Sequence, residues 1–393
     1  MTTQRLERIG GGALIGAAGA LQFSIAGAQI LVAIAIASWL ALLVVGRETP
    51  RAPRFFWPLV VYAGLTLVSA LFSPQPRVSL VDCKQLALFL LVPVTYRLID
   101  QPRGQLFVNV VVSAGAAAAA YGIFQYGILH YDTLGQRPQG TLGHYMTYSG
   151  LLMLVIGAAL ARVLFGQRER TWAAIVMPAL LVAIALTLSR NAWIGACAAA
   201  ALLFCLKDFR LLAVLPVAAA VFFTLAGATV TARFMSIFDL KDPTNRDRVA
   251  MLREGELMVR DHPFLGVGPN MVQQVYAEYR VPDAVEKVNP HLHNVPLQIA
   301  AERGLPALAA WVAFLILLCV DLVRRVQIPE QRMFAGIALA SVASMLAAGM
   351  FEHNFGDSEF LMLFLMLVTL PFGKLELKSE NYEGLRAAVT GPS

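Results

Sequence analysis

The feature that most constrains this chain is a succession of apolar runs long enough to cross a bilayer. The first is almost unbroken from about Ile9 to Gly46. It is too long for a cleaved signal peptide, whose apolar core runs to about 7–15 residues, and no soluble domain follows it. It reads as two spans joined by a tight turn near Gln22 to Gln29. Lipid cannot satisfy exposed backbone groups, so spans must be helices or a closed barrel. The runs lack period-two alternation, which selects helices. Composition agrees: of 393 residues, 58% are hydrophobic and 14% charged, with a mean hydropathy of +0.65. The expected fold is an all-α polytopic membrane protein.

Apolar windows of roughly 17–22 residues predict about 12 transmembrane helices. They fall near Ile9–Ala26, Ala28–Gly46, Phe55–Phe72, Leu80–Tyr96, Gln105–Leu129, Met146–Phe165, Trp172–Leu188, Ala192–Leu206, Leu211–Val230, Leu305–Val323, Phe334–Phe351 and Phe360–Phe372. The expected organisation is spans 1–9 over residues 1–230, a periplasmic helical segment carrying the active site over 231–304, spans 10–12 over 305–373, and a cytoplasmic tail over 374–393. Loops such as "MTTQRLER", "RETPRAPR", "GQRERT" and "RRVQIPEQR" are rich in Lys and Arg and alternate with the others. The positive-inside rule puts these loops, and both termini, in the cytoplasm. All six histidines (His130, His144, His262, His291, His293, His353) fall on the opposite, outward side. Polar chemistry gathers at one membrane face. The four cysteines (Cys83, Cys197, Cys205, Cys319) sit in or beside apolar segments without CxxC spacing, which argues against a disulfide framework or a metal site.

Within the long outward segment, "NRDRVAMLREGELMVRDHP" predicts a helix with apolar spacing through Val249, Leu252 and Leu257, ending at Pro263. Asn270 is the expected cap of a following helix. In "NPHLHNVPLQIAAERGLPALAAW", Asn294 stands at an N-cap, Pro296 in the first turn and Gly304 at the close of a helix of about nine residues. His291 and His293 precede that helix N-terminus, where free N–H groups and partial positive charge disfavour an imidazolium and leave the ring able to accept a proton. A two-residue step in extended chain points side chains in different directions, so one histidine is expected in the site. His293, beside the cap, is the choice, with His291 a bystander or substrate contact. Zinc has no third ligand at metal-site spacing, so no metal and no cofactor is expected.

Arg190, in the short outward hairpin "LTLSRNAWIG", departs from the positive-inside trend. Snorkelling to lipid phosphate is one reading; bidentate binding of a phosphorylated ligand is the sharper one. Arg246 and Arg248 open the predicted helix, and Arg246, Arg253 and Arg260 share a face. From Thr231 to Arg303 there are nine basic and ten acidic residues, so anion binding would rest on particular arginines, and salt bridges to Asp247, Glu254, Glu256 and Asp261 are the alternative. The loops "RPQGTLGHYMTYSG" and "EHNFGDSE" either line a cleft or cap helices.

Taken in order, "RPQGTLGHYMTYSG", "TLSRNAWIG", the run from Arg248 through "DHPFLGVGPN" and "HNVPLQIAAERGLPA" resemble the O-antigen ligase and polymerase superfamily of bacterial membrane glycosyltransferases. The spacing of His293, Asn294 and Gly304 resembles the ligase signature in particular, although Ala307 stands where glycine, threonine or tyrosine is more usual. The resemblance implies transfer of a glycan from undecaprenyl diphosphate to lipid A-core at the periplasmic face of the inner membrane, without nucleotide sugar, metal or nucleic acid. It implies His293 as general base, and Arg190 and Arg248 stabilising the diphosphate. Arg246, Arg303, Asn294, Arg137 and His291 are the expected substrate contacts. A polymerase or a protein O-oligosaccharyltransferase of the same superfamily shares the donor. A transporter predicts inverted repeats and charges at mid-membrane, which this sequence lacks.

Overall fold

The computed structural model describes residues 2–373 apart from 168, 226 and 240, and every regular element among them is helical. The expected tail, 374–393, lies outside the described residues. In chain order the helices are α1 (Thr3–Ala20), α2 (Ile25–Val45), α3 (Phe56–Leu71), α4 (Pro76–Asp82), α5 (Leu91–Leu98), α6 (Gln101–Gly127), α7 (Tyr145–Phe165), α8 (Arg170–Leu186) and α9 (Arg190–Lys207). Then come α10 (Val214–Leu225), α11 (Ala228–Met235), α12 (Pro243–Asp261), α13 (Val272–Tyr279), α14 (Val295–Arg325), α15 (Arg332–Gly349) and α16 (Ser358–Thr369).

Six helical stretches among the described residues are long and apolar enough to cross a membrane: Ile25–Val45, Pro76–Leu98, Gln101–Gly127, Tyr145–Phe165, Val295–Arg325 and Arg332–Gly349. Four shorter apolar stretches, Phe56–Leu71, Arg170–Leu186, Phe209–Val221 and Ser358–Phe372, accompany them. The expected span at Leu80–Tyr96 is α4 and α5 joined by a 3₁₀ stretch, Cys83–Leu90. The single expected span at Leu211–Val230 is broken into a 3₁₀ turn, α10 and the start of α11.

Helices α7, α15 and α16 form the centre. Met362 to Leu367 of α16 are fully buried, as befits a helix apolar on every side. Helix α9 lies against α15 at Gly195, small enough for close approach to Ser344 and Ala348, and Ser344 Oγ donates to the Gly195 carbonyl at 3.2 Å. Peripheral helices turn apolar side chains outward, among them Ile30, Leu40 and Val44 of α2 and Val60, Val61 and Leu71 of α3. Such a surface suits lipid rather than water.

The segment between α11 and the break in α14 builds a small core of its own from Met251, Met258, Met271, Val272, Leu292 and Ala301. Helix α12 spans nearly the predicted residues, but the expected apolar face is corrected. Val249 and Leu252 are exposed, and the buried stripe is Asp247, Ala250, Met251, Glu254, Gly255 and Met258. Two of its carboxylates turn inward because backbone and amide donors await them. Asp247 accepts from the Val285 and Glu286 N–H groups at 3.1 and 3.0 Å, and Glu254 from Val281 N–H at 3.0 Å. Asn270 does not cap α13; it is a left-handed turn residue (φ 58°), and Met271 takes the cap position.

Helix α14 breaks at Gly304, whose φ of 81° and ψ of 168° are accessible only to glycine. The break opens α14 to the "PFLGVG" turn. Val267 N–H donates to Ala301 O at 2.8 Å, Gly268 N–H to Glu302 O at 2.9 Å and Leu305 N–H to Pro263 O at 2.8 Å. A Cβ on Gly304 would stand 2.1 Å from the Phe264 carbonyl oxygen, and one on Gly266 2.4 Å from that of Glu302. Two motifs far apart in sequence are thus docked backbone to backbone. Ser69 of α3 clamps the joint, donating between Leu265 O and Glu302 O at 2.6 and 2.9 Å.

Candidate active site

The loop before α14 carries the histidines. Asn294 caps the helix as expected: its Oδ1 accepts from Leu297 N–H at 3.0 Å. Its Nδ2 donates to Met350 O at the end of α15, at 3.3 Å. Each end of its amide is engaged, so Asn294 anchors two helices to one another. Leu292, 1% exposed, plugs into the small core, and its N–H donates to Gln298 Oε1 at 2.6 Å. His293 adopts φ 49°, in the left-handed region.

That conformation overturns the expectation that the two histidines diverge. The chain is folded back rather than extended, and the rings of His291 and His293 lie with centroids 4.3 Å apart. Both face one carboxylate: His291 Nε2 is 3.1 Å from Glu352 Oε1, and His293 Nδ1 is 3.1 Å from Glu352 Oε2. Glu352 is 7% exposed. Burial alone would raise its carboxyl, but hydrogen bonds from both imidazoles and their charge hold it well below the usual carboxylate range. An ionised carboxylate only accepts, so the imidazole nitrogen facing it carries a proton, and in the neutral His293 ring the acceptor is then Nε2.

His291, His293 and Glu352 place one potential ligand atom each within 4.8 Å of one another. The sequence reading missed this third donor, which is distant in the chain. The set could hold a divalent cation, although both carboxylate oxygens are already engaged by imidazole nitrogens.

Beside the histidines opens a cleft of about 1070 Å³, counting its open mouth. Arg137, Arg190, Arg233, Arg248 and His293 contribute to its walls. Arg190 begins α9, directly after a hairpin turned by Leu188 in the left-handed region (φ 55°). It is 4% exposed, and its Nη1 donates to Ser236 O and Oγ at 3.0 and 3.1 Å. Its Nη2 is buried without a hydrogen bond; Asp242 Oδ1 stands 3.8 Å away. Arg233 donates from Nε to Leu188 O at 3.4 Å. The Arg137 guanidinium lies 3.9 Å over the Tyr145 ring, and that of Arg248 5.9 Å from the Phe351 ring. Burial pushes the Arg248 guanidinium down, and the charge of Glu352 pulls it back up. The carboxylates on the cleft wall, Asp247 and Glu286, leave the four guanidiniums in excess.

Two expected contacts lie elsewhere. Arg246 is exposed and is not part of the cleft wall. Arg303 is buried, bound to Glu302 Oε2 at 2.6 Å and Asp82 Oδ2 at 3.5 Å, and lines a separate crevice with Tyr62 and Gln85. It pairs with the buried Glu302 and the half-buried Asp82 rather than reaching the cleft. Of the expected salt bridges on α12, Arg260 pairs with Asp261, while Arg253 pairs with Asp283. Conversely, Arg233 was not singled out, and Glu352 was named only within the loop "EHNFGDSE". Arg233 carries the same signal as Arg190, an arginine at the end of an apolar run. Glu352 had only its position after one.

Fold and cleft together define an all-helical membrane protein with a cationic cleft and an imidazole–carboxylate cluster on one side. Residues 174–312, about a third of the chain, match the family model described as O-antigen ligase. The match supports membership of the O-antigen ligase superfamily. It covers Arg190, Arg233, Arg248 and His293, whereas Arg137 and Glu352 lie outside it. No curated protein matches the chain.

Proposed function

We propose that this protein is an O-antigen ligase, transferring a glycan from undecaprenyl diphosphate to lipid A-core at the periplasmic face of the bacterial inner membrane. In this reading the chain crosses the membrane about twelve times with both termini in the cytoplasm, and the cleft faces the periplasm. The observation that carries the proposal is the convergence of Arg137, Arg190, Arg233 and Arg248 on a cleft that also contains His293, held by Glu352.

Each part has a chemical task. The departing lipid diphosphate gains negative charge, which fixed guanidiniums stabilise best where water is excluded. Arg190 supports this role through a buried Nη2 that makes no hydrogen bond and has Asp242 3.8 Å away. The acceptor hydroxyl gives its proton to His293 Nε2 as its oxygen bonds to the anomeric carbon. The bond from that carbon to the diphosphate breaks, and its electron pair leaves with the phosphate oxygen. Glu352 acts as a positioning residue, fixing the His293 tautomer and stabilising the imidazolium that forms. One displacement inverts the anomeric carbon. With four guanidiniums at the diphosphate the reaction is metal-independent, so EDTA should leave transfer intact; loss of activity restored by Zn²⁺ would convert His291, His293 and Glu352 into a metal site.

The decisive assay combines purified protein, undecaprenyl-diphosphate-linked glycan and lipid A-core. A ladder of glycan on lipid A is expected, abolished by His293→Ala. Full activity in that variant would remove the base. Glycan lengthening only on the carrier would identify a polymerase, and transfer to protein an oligosaccharyltransferase.

A further inference from the structure

A second cavity, of about 750 Å³ counting its open mouth, adjoins the arginine cleft; Met146 and Asn191 belong to the walls of both. His293 lies on the arginine side, whereas His291 and Glu352 line the second cavity. The imidazole pair, with centroids 4.3 Å apart, therefore stands at the waist between the two spaces. Their linings differ in kind. The first gathers four arginines; the second has no Lys or Arg among its described lining residues and presents Thr147, Asn191, Asn354, Asp357 and Glu352. Two amides there have unspent capacity. Asn354 is 7% exposed and donates from Nδ2 to Met345 O at 3.1 Å, yet its Oδ1 is buried without a partner. Asn191 is 9% exposed, and its side chain makes no hydrogen bond among the described residues.

A phosphate would find no Lys or Arg in the second cavity, whereas a sugar would find amides, a hydroxyl, imidazoles and carboxylates, the groups that bind hydroxyls. A single displacement also requires nucleophile and leaving group on opposite faces of the anomeric carbon, which two spaces meeting at a base provide. Building on the glycosyl-transfer reading, we infer that the cavity lined by Thr147, Asn191, His291, Asn354 and Asp357 is the acceptor saccharide subsite, with Asn191 and Asn354 as hydroxyl-binding residues. The acceptor approaches from this side, and the donor diphosphate occupies the arginine cleft.

The test is steady-state transfer by the full chain in detergent, varying donor and acceptor separately, with melting midpoints recorded for every variant. The acceptor titrated is lipid A-core or, should the wild type extend glycan on its carrier, carrier-linked glycan. Asn191→Ala and Asn354→Ala are expected to raise the acceptor KM about tenfold each, the loss of one buried hydrogen bond; the donor KM stays unchanged in Asn354→Ala and moves less than the acceptor KM in Asn191→Ala, since Asn191 also borders the arginine cleft. Arg190→Ala should do the reverse. Deacylated core oligosaccharide should inhibit competitively against the acceptor and not against the donor, and Asn191→Ala should weaken that inhibition even if Asn354→Ala fails to fold. An unchanged acceptor KM in Asn191→Ala, or oligosaccharide competing with the donor, overturns the assignment while leaving transferase activity standing. If the wild type transfers to no acceptor, the functional reading fails first. Calorimetric titration of the wild type and Asn191→Ala with core oligosaccharide then decides the subsite alone: weaker binding in the variant supports it, and equal or absent binding refutes it.

Discussion

Replacing Glu352 with glutamine tests the site most sharply, because the hydrogen bonds around this residue dictate how the new side chain must sit. In the native protein Oε1 accepts from the backbone N–H of His353 at 3.0 Å as well as from His291, while Oε2 accepts from His293. A backbone N–H can only donate, so the glutamine carbonyl oxygen must take the Oε1 position. Its NH₂ group then faces His293 Nδ1. A donor there forces His293 to accept at Nδ1 and carry its proton on Nε2, the tautomer that has no lone pair for the acceptor hydroxyl. Side-chain volume is nearly unchanged, and the fold should survive with a loss of about 1–3 kcal/mol from the charge-assisted hydrogen bonds. Catalysis should suffer far more. A positioned general base contributes roughly a hundredfold to ten-thousandfold, and a wrong tautomer forfeits most of it. The assay is transfer kinetics at saturating donor and acceptor, which should show kcat down by about that factor, both KM values within about threefold, and partial rescue by Glu352→Asp. A Glu352→Gln protein with native kcat would refute the tautomer argument and, with it, His293 as the base.

Other consequences follow from the same geometry. Arg233→Ala should raise the donor KM or lower kcat by about tenfold to a hundredfold, through a lost charge-assisted contact, whereas Arg246→Ala, on the exposed side of α12, should leave transfer kinetics native. Equal effects would dissolve the distinction between cleft and surface. Gly304→Ala should destabilise by about 3 kcal/mol or more, because glycine-only dihedrals are combined with a clash against rigid backbone; an unchanged melting midpoint would contradict the docked turn. Burial, aided by the charges of His291 and Arg303, pushes His353 down to about 3. The unfolded chain takes up that proton near pH 6.5 and the folded protein does not, so stability present above that pH drains away as pH falls toward 3. Melting midpoints should decline across that window in the wild type and decline less in His353→Gln. Parallel profiles would show that His353 is not held neutral.

What the sequence determines by itself is whatever is written over short distances. Runs of about 20 apolar residues dictate helices in lipid, and caps at Asn294 and Gly304 place the ends of the short helix before the break in α14, because such signals act within one turn of chain. Arg190 in its short hairpin is legible for a similar reason: charge beside hydrocarbon is costly wherever it occurs. Tertiary structure decided the rest. No periodicity shows that Glu352 reaches back 59 residues to His293, or that a left-handed residue folds both histidines onto one carboxylate. Nor does any local signal separate Arg248, on the cleft wall, from Arg246 outside it, or withdraw Arg303 to neutralise Glu302 and Asp82. Those outcomes depend on how α9, α12, α14 and α15 pack, because a catalytic arrangement is set by convergence in space, and convergence is a property of packed helices rather than of any one stretch of chain.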